Sequence, residues 1–230
     1  MLNIYKSTEN EIVSLDRVEK GAWINLVNPT EDEIATISES LKIPLVHLKA
    51  ALDEEERARI EVDEECTVVL IDIPVASKDT SKNGIYCTIP LGVLINNENI
   101  VTVSLRENSV ITRFLENKVK SFQTFKKTCF LLQILYRSSR DYLQYLRNID
   151  KTSDVIESRL HKSLKNEELI QLLELEKSLV YFSTSLKGNE IVLEKILKAN
   201  LIKMYPDDVE LLEDVIIENK QAIEMTEIYS

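Results

Sequence analysis

At 230 residues the chain can form one large domain or two small ones with a hydrophobic core, and 44% hydrophobic and 29% charged residues exclude the fibrous and disordered classes. Four glycines are about 2% of the chain against a usual level of about 7%, so tight turns are few and helix is abundant. Subtracting 39 Asp and Glu from 28 Lys and Arg leaves a net charge of -11, which argues against nucleic acid or an anionic membrane surface as partner and favours cations.

The first hundred residues alternate β-rich runs with short helical patterns, as an α/β or α+β domain does. Trp23-Ile24-Asn25-Leu26-Val27 reads as a strand. Thr30 and Glu33 have capping-box spacing, and Glu31, Asp32 and Glu33 suit the positive end of a helix dipole, so a helix starts near Thr30 and buries Ile34, Ile37 and Leu41. Pro44 stops it and opens a second short helix carrying Leu45, Leu48 and Leu52. Strand character returns at Ile60 and Val62. Cys66 to Ile73 is a β-branched run that Pro74 ends, and Ala76 to Gly84 is a polar loop. Ile85 to Ile95 and Ile100 to Leu105 flank a four-residue hairpin loop, Asn96-Asn97-Glu98-Asn99. Pro90 cannot donate a ladder hydrogen bond, which places its strand at an edge or at a bulge.

From Ser109 onward one glycine, Gly188, and one proline, Pro206, remain, so the second half is a small number of long helices. Leu135, Tyr142, Ile149 and Ile156 recur every seven residues. So do Leu172, Leu179, Leu186 and Leu193, with Leu175, Phe182 and Ile196 between them. These heptads predict a coiled-coil hairpin that breaks at Ser163 to Asn166, each arm reaching ~50 Å at ~1.5 Å per residue. A last helix begins after Pro206 with Asp207 and Asp208 in its first turn, and its apolar stripe is Val209, Leu212, Ile216 and Ile223. It reaches Ser230 without a cap, so it is expected to continue past this chain; a frayed terminus is the alternative.

Cys66, Cys87 and Cys129 form neither a CxxC pair nor a disulfide framework, and Met1 to Leu15 carries charges where an export signal needs an apolar run. A reducing cytosolic setting follows, and no run is long and apolar enough to cross a bilayer. His47 and His161 lie outside any zinc spacing, and no phosphate-binding glycine loop is present. Core thiols are the simple reading of the cysteines. Asp53-Glu54-Glu55-Glu56, Glu61 to Glu65 and the last helix are dense in carboxylates that suit Mg²⁺ or Ca²⁺, against the plainer reading of solvated acidic faces. Lys118, Lys120, Lys126 and Lys127 read as solvated surface.

The order of these pieces resembles the cytoplasmic part of the CorA family of magnesium channels and transporters. The resemblance rests on Trp23-Ile24-Asn25-Leu26 followed by Pro29-Thr30-Glu31-Asp32-Glu33, on Ile43-Pro44-Leu45-Val46, and on Glu56-Arg57-Ala58-Arg59-Ile60-Glu61. The strand ending in Pro74, the segment Ile100-Val101-Thr102-Val103 and three long helices complete it. It implies a mixed sheet flanked by helices over 1–108, a long antiparallel hairpin over 109–204, and a stalk helix over 205–230. In the family the stalk runs into a first membrane span ending in Gly-Met-Asn, and a second span follows; this sequence contains neither. The complete protein would be a homopentamer in the inner or plasma membrane, with this part on the cytoplasmic side and membrane contact only through the absent spans.

Family members of the best-known type bind regulatory divalent ions through carboxylates at positions that match Lys49 and Ile228 here, and neither residue can serve. Asp53, Glu224 and Glu227 are the neighbouring candidates for metal. The resemblance thus implies a non-enzymatic sensing and gating domain for Mg²⁺ transport. Open alternatives are a Zn²⁺ or Co²⁺ transporter of the same family, a soluble coiled-coil scaffold, and, least favoured, a carboxylate-dependent metal hydrolase.

Overall fold

The computed structural model describes residues 1–8, 11–77, 85–160, 166–199 and 201–230. Seven strands, β1 (Leu2–Ser7), β2 (Ile12–Leu15), β3 (Trp23–Val27), β4 (Arg59–Val62), β5 (Thr67–Ala76), β6 (Tyr86–Ile95) and β7 (Ile100–Ser104), form one sheet in the order β2-β1-β3-β7-β6-β5-β4. Only the central β3–β7 pair is parallel, so the sheet is mixed.

Both faces of this sheet are covered, which is why β5, β6 and β7 read as nearly continuous apolar runs. On one face, α1 (Glu31–Leu41) and α2 (Leu45–Ala50) cover Ile24, Leu26, Val68, Leu70, Leu94 and Val103. The Thr30–Glu33 capping box is formed, and Ile34, Ile37 and Leu41 are buried as expected. Leu48 is buried, but Leu45 is 46% exposed, because it lies in the first turn after Pro44, off the side that meets the sheet. Gly92 permits this layer to approach closely: a Cβ there would lie 2.9 Å from Cβ of Ala51.

The other face packs on α3 (Ser109–Leu115), α4 (Lys127–Leu160) and α5 (Asn166–Ala199). Trp23 is fully buried there, its indole N–H donating to Thr102 Oγ1 at 2.7 Å, with Phe114, Phe122 and Phe130 edge-on around it. Sheet residues Val69, Ile71 and Val93 share one core with Leu131, Ile134, Val192 and Ile196 of the long helices and with Leu212 of α6 (Pro206–Tyr229).

Several expectations are corrected. β5 runs through Pro74 to Ala76. It can do so because β4 pairs only as far as Leu70, which leaves the outer edge of β5 beyond that point without a strand that would need the missing N–H. As expected, Pro90 meets a local edge: it lies one residue beyond the last β6–β7 pair, Leu91 with Ser104, and its strand carries no bulge there. β1, β2 and α3 were not anticipated. The heptad residues of α4 and α5 are buried, apart from Leu172, which is half-buried. Residues 78–84 of the expected polar loop, residues 163–165 of the expected hairpin break and His161 lie outside the described residues.

Candidate functional site

The stalk helix α6 carries eight acidic side chains and one lysine, a net -7 out of the chain's -11. Its start is fixed by Pro206 in the first turn and by the Tyr205 N–H, which donates to Asp208 Oδ2 at 2.9 Å. The face it buries against α4 and α5 is Asp208, Leu212, Val215, Asn219, Ala222 and Thr226, alternating in steps of four and three. This corrects the expected stripe: Val209 is 38% exposed, and Ile216 and Ile223 are half-buried. Polarity did not exclude Asn219 and Thr226 from the seam because each finds an acceptor, Asn219 Nδ2 at the Leu186 carbonyl (3.3 Å) and Thr226 Oγ1 at the Ala222 carbonyl (2.7 Å).

Two basic residues of the hairpin meet the acidic stalk. Arg140 of α4 pairs with Glu218 at 3.0 Å, and that bond raises the guanidinium's proton affinity further. Lys187 of α5 pairs with Glu227 at 3.3 Å. Glu224 is exposed and has no ion pair among the described residues, and Ile228 at the stalk's end is 76% exposed.

Asp53 stands on the head just beyond α2, exposed, its Oδ1 accepting the Glu55 N–H at 3.0 Å. Lys49 pairs with Glu31 of α1. Among the described residues no three His, Cys, Asp or Glu side chains converge in a way that could hold a metal ion, so this single chain does not gather Asp53, Glu224 and Glu227 into a site. His47 is bonded to Asp63 at 3.1 Å, an interaction that lowers the Asp63 carboxyl below its ordinary range. Cys66 is buried and its thiol is pushed up to about 11, chiefly by burial; Cys87 and Cys129 are half-buried. Lys127 is not simply solvated surface: its ammonium donates to the carbonyls of Asn96 and Asn97 at 2.6 and 2.7 Å, and burial lowers its proton affinity.

The junction between head and helices holds a cluster missed at the level of sequence. Asp72, on the part of β5 that β4 does not reach, has its N–H and C=O bound by the Asn189 amide of α5, and the Tyr142 hydroxyl of α4 donates to the same carbonyl. The Asp72 carboxyl is largely enclosed, which raises its proton affinity, partly offset by a hydrogen bond with Ser185. A usable signal existed, since Asn189 falls in the α5 heptad series where every neighbour in the series is apolar.

A sheet covered on both faces, a hairpin of two 34-residue helices and an acidic third helix laid along it invite comparison with known proteins. The family described as CorA-like Mg²⁺ transporter protein matches residues 18–230. The chain belongs to this family. Its sequence is 29% identical over 211 residues to the cobalt/magnesium transport protein CorA of Methanocaldococcus jannaschii, covering 90% of this chain. The chain spans 65% of the length of that CorA relative. The structure of the soluble domain of CorA from the same organism superposes with a TM-score of 0.87 at 26% identity, covering all of this chain and 92% of that one. The complete CorA magnesium transporter from that organism gives 0.86 at 25% identity, over all of this chain and 73% of its own. Among the described residues of this CorA-family chain no helix is long and apolar enough to cross a membrane.

Proposed function

We propose that this chain is the sensing and gating part of a divalent-cation transporter that moves Mg²⁺ or Co²⁺, with residues 1–108 as head, 109–204 as arm and 205–230 as stalk, acting without catalysis at the cytoplasmic face of the membrane. The observation that carries the reading is the charge of α6, a net -7 on one helix whose apolar side is already taken by its own hairpin. In a homopentamer these stalks lie near one another, and their carboxylates repel. Exposed Ile217 and Ile228 on α6, and Leu173, Val180 and Ile191 on α5, offer the apolar area for contact between copies.

Divalent cations bound between subunits neutralise the crowding and favour the arrangement in which the stalks are close. They can do so only by binding that arrangement more tightly than the other. Asp53 of one head with Glu224 and Glu227 of a neighbouring stalk are the groups we assign to this role. Mg²⁺ gives up water reluctantly, so its hydration shell bridges part of the distance.

The test is thermal melting and sedimentation of the chain with and without millimolar Mg²⁺ or Co²⁺ at low salt, beside cation uptake by liposomes holding the whole gene product. The expected result is a higher melting temperature and stronger association with the cation, reduced in Asp53→Asn and Glu224→Gln/Glu227→Gln. Unchanged melting and association, together with no uptake, would overturn the proposal.

A further inference from the structure

A cleft of about 820 Å³ lies where the head, the base of the hairpin and the start of the stalk meet, a volume typical of small-molecule sites. Its walls come from the β4–β5 turn, the β6–β7 turn, the segment entering α4, and the connection from α5 into α6. We propose that it binds a linear polyamine, a flexible chain of ammonium groups separated by methylenes.

Two aromatic side chains on its walls are turned to solvent, Phe125 at 56% and Tyr205 at 60% exposure. Such faces attract ammonium groups. Glu64 and Glu65 on the head and Asp207 on the stalk also line it, without ion-pair partners among the described residues. These carboxylates do not converge on a metal position, so a compact ion would meet only part of them, whereas charges spread along a flexible chain can meet them one by one. The floor supplies Ile95, Leu201 and Ile202 for the methylenes.

The protein's own ammonium groups already show that this cleft holds such a group against a ring and between backbone carbonyls. Lys203 Nζ lies 5.5 Å from the centre of the Tyr205 ring, and Lys127 Nζ is held by two carbonyls of the β6–β7 turn. Lys127 is thereby occupied, while Lys203 is exposed and free to swing aside for a ligand. Five carboxylates against three lysines leave the lining net negative within a chain of -11, which disfavours an anion. Because Glu65 belongs to the head and Asp207 to the stalk, a bound polyamine draws the two together. That regulatory consequence rests on the gating role proposed above; the binding itself does not.

The experiment is calorimetry of the chain with spermine at roughly physiological salt, about 0.15 M, where exposed charges are screened beyond ~8 Å. One saturable site per chain is expected, persisting in millimolar Mg²⁺. Phe125→Leu with Tyr205→Leu removes the rings but keeps apolar bulk, and affinity should fall about tenfold, the scale of one to two such ring contacts. Glu65→Gln with Asp207→Asn should weaken binding similarly, and Lys203→Ala should tighten it. All these side chains lie on the cleft walls, and melting curves verify that the variants fold. Binding that never saturates, that disappears in Mg²⁺, or that is unchanged in both double variants is general charge screening and overturns the site; so does tighter binding of tripolyphosphate than of spermine. Loss of the spermine site leaves cation sensing at Asp53, Glu224 and Glu227 untouched, because none of them lines the cleft.

Discussion

Asn189 of α5 completes the edge of β5 at Asp72: its Nδ2 donates to the Asp72 carbonyl at 2.8 Å and its Oδ1 accepts the Asp72 N–H at 2.9 Å. A side-chain amide thus takes the place of the strand that β4 is too short to supply. Asn189→Leu would perfect the heptad of α5 yet orphan a partly buried N–H, and the carbonyl would keep only the Tyr142 hydroxyl. Each unsatisfied group of this kind costs about 1–3 kcal/mol. We expect urea unfolding to show a loss in that range for Asn189→Leu, with Asn189→Gln intermediate. A gain for the leucine variant would mean that apolar packing outweighs the latch.

The carboxyl of the same Asp72 gives a pH signature. Burial raises its proton affinity in the folded state, so folding favours the protonated form. Its contribution is fully present below the unfolded value of about 3.9 and is lost as pH rises through the higher folded value. Asp72→Asn should therefore be more stable than the parent at neutral pH and should flatten the stability profile just above pH ~4. Melting temperatures from pH 4 upward check it. Glu33 has the opposite sign, because the Thr30 N–H foremost, with help from the chain's amino terminus and the Leu2 N–H, lowers its proton affinity. Its contribution is present above its unfolded value and is lost on acidification.

What could be read from sequence divides along a physical line. Features fixed by neighbours in the chain were legible: the Thr30–Glu33 box, the four-residue loop after Ile95, and the heptads from Leu135 to Ile156. Features fixed by a distant partner were not. β1 and β2 are half-buried strands without clear alternation, β1 held between β2 and β3 and β2 held at the sheet's edge by β1 alone. Pro74 reads as a stop because the short reach of β4 is a property of the sheet, not of the residues around the proline. On α6 hydrophobicity pointed to Val209, Ile216 and Ile223, while the surface offered by α4 and α5 selected the seam through Leu212, Asn219 and Thr226. The cleft was not visible in the sequence, since four separate segments build it.

Asp141 on α4 is buried, and it accepts from Arg113 at 2.6 Å and from the Ser109 hydroxyl at 2.6 Å, which ties the short helix α3 to the hairpin. Removing Arg113 leaves the enclosed Asp141 carboxylate unmatched, whereas removing both need not destabilise. Arg113→Met should cost roughly 3 kcal/mol, and Arg113→Met combined with Asp141→Leu should recover most of it. A double-mutant cycle in urea measures the coupling. If the two single losses simply add, the pair is not a unit and α3 is held by Val110, Ile111 and Phe114 alone.

Asn219 sits at a core position of the stalk seam, 1% exposed, with one long bond of 3.3 Å to the Leu186 carbonyl of α5. That carbonyl belongs to a continuous helix, so its own ladder does not depend on the bond. A polar residue at such a position fixes register at a cost in stability. Asn219→Leu is close in volume and should raise the unfolding free energy by about 1 kcal/mol, while Leu212→Ala, two turns earlier in the same seam, should lower it by about 2–5 kcal/mol. If the chain gates cation transport as proposed above, the leucine variant should also make α6 harder to shift along the hairpin, read as slower cation uptake by the whole gene product at equal expression. Destabilisation by Asn219→Leu would show instead that the amide bond holds the stalk in place, and the polar seam would then be an anchor, not a concession to movement.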